Sequence, residues 1–173
     1  MVKRENDTAT NQISAEIPDW SYEQPRRFWD PGRKLLLAMR RYQYWRNKGG
    51  FVALIACKWL ILRHRFWSVV TGAEIPLNCN IGGGLSIIHP NGIVIHHEAK
   101  IGVNCLIQSQ VTIGVRHNDR LPEIGGHVEI GTGAKIIGAV RIGDHAKIGA
   151  NAVVIADVPA GATAVGVPAK VID

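Results

Sequence analysis

With 173 residues, 46% of them apolar and 20% charged, the chain has the size and make-up of one globular domain with an appendage. The formal charge of +6 is unevenly spread. Between Gln24 and Val70 lie Arg26, Arg27, Arg33, Lys34, Arg40, Arg41, Arg46, Lys48, Lys58, Arg63 and Arg65 against Asp30 alone. These cations are not interleaved on a β platform and no reading motif accompanies them, which excludes nucleic acid as the partner.

Residues 1–23 are polar and aperiodic and read as a flexible tail. Met1 to Asn11 has no apolar leader segment, and a cytoplasmic location is expected on that basis. Residues 24–72 read as a basic helical hairpin. Asp30 is placed to cap a helix with Pro31 at its first position, and Gly49-Gly50 ends it. Leu35, Leu36, Met39, Tyr42 and Trp45 fall at helical spacing within it. A second helix from about Phe51 to Val69 sets Leu54, Ile55, Trp59, Leu62 and Phe66 on one face. Its apolar run is interrupted by Lys58 and is well short of the roughly twenty residues that span a bilayer. Two roles for the hairpin stay open. It packs onto the rest of the chain or a neighbouring subunit, or its basic, Trp-rich surface meets an acidic polymer or the inner face of an anionic membrane.

From residue 73 to 173 the pattern changes. Hexads open at Ile124, Ile130, Ile136, Ile142, Ile148 and Val154 without a break, each with Val or Ala at its fifth position. Earlier hexads open at Ile75, Ile81 and Ile87, then at Ile95, Ile101 and Ile107 after a slip of two residues. A period of six cannot be one face of an α-helix, which repeats near 3.6. It suits one short strand and a tight turn per hexad, three hexads to a coil of a triangular parallel β-helix, with the aliphatic residues inside. Cys57, Cys79 and Cys105 form no ligand spacing and read as reduced structural thiols. His96 and His97 are adjacent and, on a strand, face opposite sides, so no metal is expected. His127 and His145 fall at variable repeat positions and read as solvated.

Thr71-Gly-Ala-Glu-Ile, His89-Pro-Asn-Gly-Ile-Val-Ile, Val111-Thr-Ile-Gly, Asp119-Arg-Leu-Pro-Glu-Ile and Val165-Gly-Val-Pro-Ala-Lys-Val occur in order. Over roughly residues 66–172 they resemble successive motifs of the serine acetyltransferase family of hexapeptide-repeat acyltransferases. The resemblance implies an all-β left-handed parallel β-helix behind the N-terminal α-helical hairpin. It also implies acetyl-CoA as co-substrate, and homotrimers with active sites between subunits, whose pairing into a dimer of trimers stays open. His89 matches the family's general base, a task that suits imidazole because its pKa lies near operating pH. Glu74 falls where the family carries the acid that orients that ring. Coenzyme contacts are implied for Thr112, Gly114, Gly131, Thr132, Lys147 and Ala150, with Lys170 near the nucleotide phosphates. His117 and Arg120 lie in the one long interruption, Val115 to Pro122, and are implied to reach the acceptor.

Two positions depart from the family. Serine-acetylating members have Asp before the catalytic His and His after the loop arginine, whereas here those positions are Ile88 and Leu121. The chain also ends at Asp173, without the family's extended tail. The reading is therefore an acetyl-CoA-dependent O-acetyltransferase, closer to the branches that decorate exopolysaccharide or envelope glycan precursors, with a saccharide hydroxyl as acceptor. Serine O-acetylation is the alternative, and a non-catalytic β-helix scaffold the second alternative.

Overall fold

The computed structural model describes residues 13–115 and 121–172. Two helices lead into a solenoid. Helix α1 (Pro31–Lys48) starts at a proline whose missing N–H is one the first turn would leave unbonded anyway. Asp30 makes no capping hydrogen bond. Its Oδ2 accepts instead from the Arg26 backbone N–H and the Arg33 guanidinium, both at 3.1 Å. Leu35, Leu36 and Met39 are fully buried against the first coil of the solenoid. Helix α2 (Phe51–Thr71) ends at Gly72, whose φ of 63° is left-handed and whose absent Cβ makes room for the Asn91 side chain.

Four coils follow, three short strands to a coil. They are β1 (Asn80–Ile81), β2 (Ser86–Ile87) and β3 (Val94–Ile95), then β4 (Lys100–Ile101), β5 (Leu106–Ile107) and β6 (Thr112–Gly114). Next come β7 (Glu123–Ile124), β8 (Glu129–Ile130) and β9 (Lys135–Ile137), then β10 (Arg141–Ile142), β11 (Lys147–Ile148) and β12 (Val153–Val154). Strand β13 (Thr163–Gly166) turns back on itself through β14 (Ala169–Ile172), the antiparallel pair that finishes the stack. The strands pair in parallel on three faces: β1-β4-β7-β10, then β2-β5-β8-β11-β13, and β3-β6-β9-β12. This is the left-handed parallel β-helix expected of the repeats.

The register explains the hexads. Ile101, Ile124 and Ile142 stack on one face, Ile107, Ile130 and Ile148 on the second, and Ile95, Ile113 and Ile136 on the third. All of them are buried, as are the fifth-position residues Val128, Ala134, Val140, Ala146 and Ala152. Burial pushes the thiols of Cys79 and Cys105 up to about 12 and about 11, which leaves both inert at neutral pH.

Two expectations need correcting. The flexible tail does not extend through residues 13–23, which lie as a strap along the edge between the first and second faces. There Asn104 Oδ1 accepts from the Asp19 N–H (2.7 Å) while its Nδ2 donates to the Ser14 and Ile17 carbonyls. Glu23 is buried and accepts from Arg40 through both oxygens and from the Leu85 N–H. Residues 1–12 lie outside the described residues. The second correction concerns α2: Leu54, Ile55, Trp59, Leu62 and Phe66 do share one side of the helix, but all are exposed. The buried stripe is Ala53, Leu60, His64, Trp67 and Thr71.

Candidate active site along one edge of the prism

The two-residue slip between Ile87 and Ile95 falls at the edge joining the second and third faces, and His89 sits on that enlarged corner. The corner stacks directly on the chain that leaves α2. The Gly92 N–H donates to the Gly72 carbonyl (2.8 Å), and the Glu74 N–H donates to the Ile93 carbonyl (2.7 Å). A bridge pairs Glu74 with Val94, so Glu74 opens a third-face column continued by Val94, Thr112, Lys135 and Val153. His89 thus lies on the corner and Glu74 at the start of the third face that adjoins it. Both are exposed, and no hydrogen bond joins their side chains.

Above His89 the same edge continues through the higher coils, where Gly131, Gly149 and Ala150 are small. Ile88, Gln108, Gly131 and Gly149 form one ladder, each backbone N–H donating to the coil above. A Cβ on Gly131 would come within 2.7 Å of the Ala150 nitrogen, so only glycine lets these two turns stack. Ile88, His89, Gly131, Thr132 and Ala150 therefore share one edge, with Thr112 and Gly114 on the adjoining third face. Lys147 projects from the second face beside Glu129, at 3.8 Å. Lys170 pairs with Val165 in the closing hairpin, where Val165 lies over Gly149.

Gln108 belongs to this edge, although sequence reading passed it over. Its Oε1 accepts from the hydroxyl (2.8 Å) and the N–H (3.3 Å) of Thr132 and so fixes that side chain. The three-hexad stacking that sets Ile88 over Gln108 over Gly131 was the signal that could have found it.

Leu121 is elsewhere. It precedes β7 at the edge between the third and first faces, so the full third face separates it from His89 within one chain. His117 and Arg120 lie outside the described residues. His96 and His97 do not point apart as expected. They follow β3 on a turn, and their rings lie 4.4 Å from each other. His127 and His145 are half-buried rather than solvated, with their Nδ1 atoms 2.9 Å apart on neighbouring coils. Desolvation first, then the neighbouring His145, holds His127 below its ordinary value. Among the described residues no group of three or more His, Cys, Asp or Glu is gathered to hold a metal.

Stacked hexads, three to a coil, make this a hexapeptide-repeat β-helix. Residues 122–156 match the family described as bacterial transferase hexapeptide (six repeats). Beyond that match the chain is similar to serine acetyltransferases. It is 45% identical over 106 residues to serine acetyltransferase of Helicobacter pylori, covering 60% of this chain and 62% of that protein. The structure superposes on a serine acetyltransferase in complex with CoA with a TM-score of 0.70 at 33% identity, covering 84% of this chain and 58% of the other. The Neisseria gonorrhoeae enzyme in complex with serine gives 0.69 at 37% identity, over 84% and 58%. The chain thus spans about three fifths of each of these relatives. The relatives named are serine acetyltransferases, which favours the serine alternative over the polysaccharide-decorating branch.

Proposed function

We infer that this protein is an O-acetyltransferase that uses acetyl-CoA, with L-serine as its acceptor. The observation that carries the reading is a corner with an exposed histidine, beside a face that opens with a carboxylate and below turns where Gly131, Gly149 and Ala150 are small. Acetyl-CoA supplies an activated acetyl thioester. His89 takes the proton of the acceptor hydroxyl as that oxygen bonds to the acetyl carbon, and returns it to the departing thiol. Glu74 acts through His89, holding the ring and favouring its charged form. Gly131, Thr132 and Ala150 let a thin pantetheine-like chain lie close to the backbone, while Lys147 and Lys170 supply charge for phosphates. Leu121 stands a full face away from His89, and a neighbouring copy of the chain is what brings such a residue to the edge.

One observation favours a second acceptor. Ile88, next to His89, is 42% exposed, and Leu121 is aliphatic as well, so neither of these side chains offers a polar acceptor contact. A saccharide hydroxyl suits such a site. The purified protein, given acetyl-CoA with L-serine or a panel of sugars, separates the readings by which acceptor releases free thiol with saturation. Thiol release with no acceptor in either set, or full release by His89→Ala, would overturn the assignment.

A further inference from the structure

The outward side of α2 takes no part in the chemistry above. Phe51, Ile55, Trp59, Leu62, Phe66 and Val69 follow one another at steps of three or four residues, so they form one stripe along the helix. All are exposed, Trp59 by 66% and Leu62 by 60%. At 1.5 Å per residue a helix of 21 residues carries such a stripe for about 30 Å. Phe28 and Trp29 are exposed as well, Trp29 lying edge-on to Trp67 at 5.7 Å. Lys58 and Arg65 border the stripe on one side and Arg63 on the other.

A contiguous apolar band of this size marks a surface that is covered in use. Its charge says by what. Neither α1 nor α2 contains an Asp or Glu. A second copy presenting the same band would set Lys58, Arg63 and Arg65 against their own kind with no acid on the helices of either copy. An anionic bilayer has the complementary charge. The rings enter the boundary between headgroups and acyl chains, while the lysine and arginine stems lie along it and reach the phosphates. No helix of the described residues is long and apolar enough to cross a membrane, so the helix lies in the surface. We propose that the outer face of α2 is a peripheral docking surface for membranes rich in anionic phospholipid.

The test sediments the purified full chain with vesicles of phosphatidylcholine alone, or of phosphatidylcholine and phosphatidylglycerol in equal parts. It is run at low and high salt, with particle mass followed by light scattering. The wild type should bind the anionic vesicles, release in high salt, and shift its tryptophan emission to the blue on binding. Lys58→Gln with Arg65→Gln should weaken that binding about tenfold or more and leave the fold unchanged. Trp59→Glu with Leu62→Glu should abolish it, with circular dichroism confirming a folded chain. If the glutamate variant does not fold, the glutamine variant decides. The proposal is overturned by failure to bind anionic vesicles, by equal binding to neutral ones, or by unchanged binding of the glutamine variant. It is equally overturned if the glutamate variant splits the particle into smaller ones, which would assign the face to a second copy.

Discussion

His89 occupies a left-handed corner, with φ of 50°, as do Asn104, Gln110 and Asn151 at other corners of the prism. Asparagine fits such a turn at least as well as histidine, so nothing in the fold asks for an imidazole. His89→Asn should therefore keep the melting temperature and the affinity for coenzyme while acetyl transfer falls about a hundred- to ten-thousand-fold. A variant that lost its fold along with its rate would show the residue to be structural. Glu74→Gln should lose less, and the two defects should not add, because both act on one proton transfer. His64 tests a different property. It is buried on α2, its Nε2–H donating to the Ile75 carbonyl at 2.9 Å. Desolvation lowers its pKa below the ordinary 6.5, opposed in part by that hydrogen bond. The unfolded chain then binds the proton more readily, so this contribution is complete above pH 6.5 and is lost as the pH falls through the depressed value. Melting temperature should drop on acidification below about 6.5, and His64→Gln should flatten that slope.

At the scale of elements, the strap and α1 are joined through one ion pair. Arg40 donates to both Glu23 oxygens at 2.8 and 2.9 Å and also to the Ile81 and Gly82 carbonyls, so it ties the strap, the helix and the first coil together. Glu23→Ala strands a mostly buried guanidinium and the Leu85 N–H, and should cost about 3–5 kcal/mol in denaturant unfolding. A loss under about 1 kcal/mol would mean that water replaces the carboxylate. None of this was legible in the sequence, because Glu23 finds Arg40 and Leu85 only after the chain has folded back, and its neighbours have no period. The coils were legible for the opposite reason. Ile124, Ile130 and Ile136 repeat at the interval of one strand and one turn, so local spacing and burial agree. For α2 the spacing said which residues share a side. It could not say that the stripe of Ala53, Leu60, His64 and Trp67, poorer in apolar bulk, would be the one turned inward. In the candidate site, His89 and Glu74 were legible as motif positions. Gln108 was not, since its role follows from lying over Gly131 one coil away.

For the molecule as a whole, the proposed site takes in both His89 and Leu121, which a face of the prism separates, so the proposal requires assembly. Light scattering should give a particle of about three times the 18.9 kDa chain. A monomer with full activity would place the whole site on one chain and remove the shared-edge reading. The stack also has unlike ends. At one, Leu35, Leu36 and Met39 of α1 plug the first coil; at the other, β13 pairs with its own returning strand β14. Each coil touches only the coils beside it, so the protein behaves as a zipper that opens from whichever end is less firmly shut. Amide hydrogens of β4 through β9 should exchange most slowly, those of β14 and β13 first, with β1 and β2 held by the plug. That ordering gives the molecule a preferred direction of unravelling. Ala150 and Lys170, proposed above to meet the coenzyme, lie at the end that frays, so on that proposal a bound coenzyme slows exchange there before it does anywhere else.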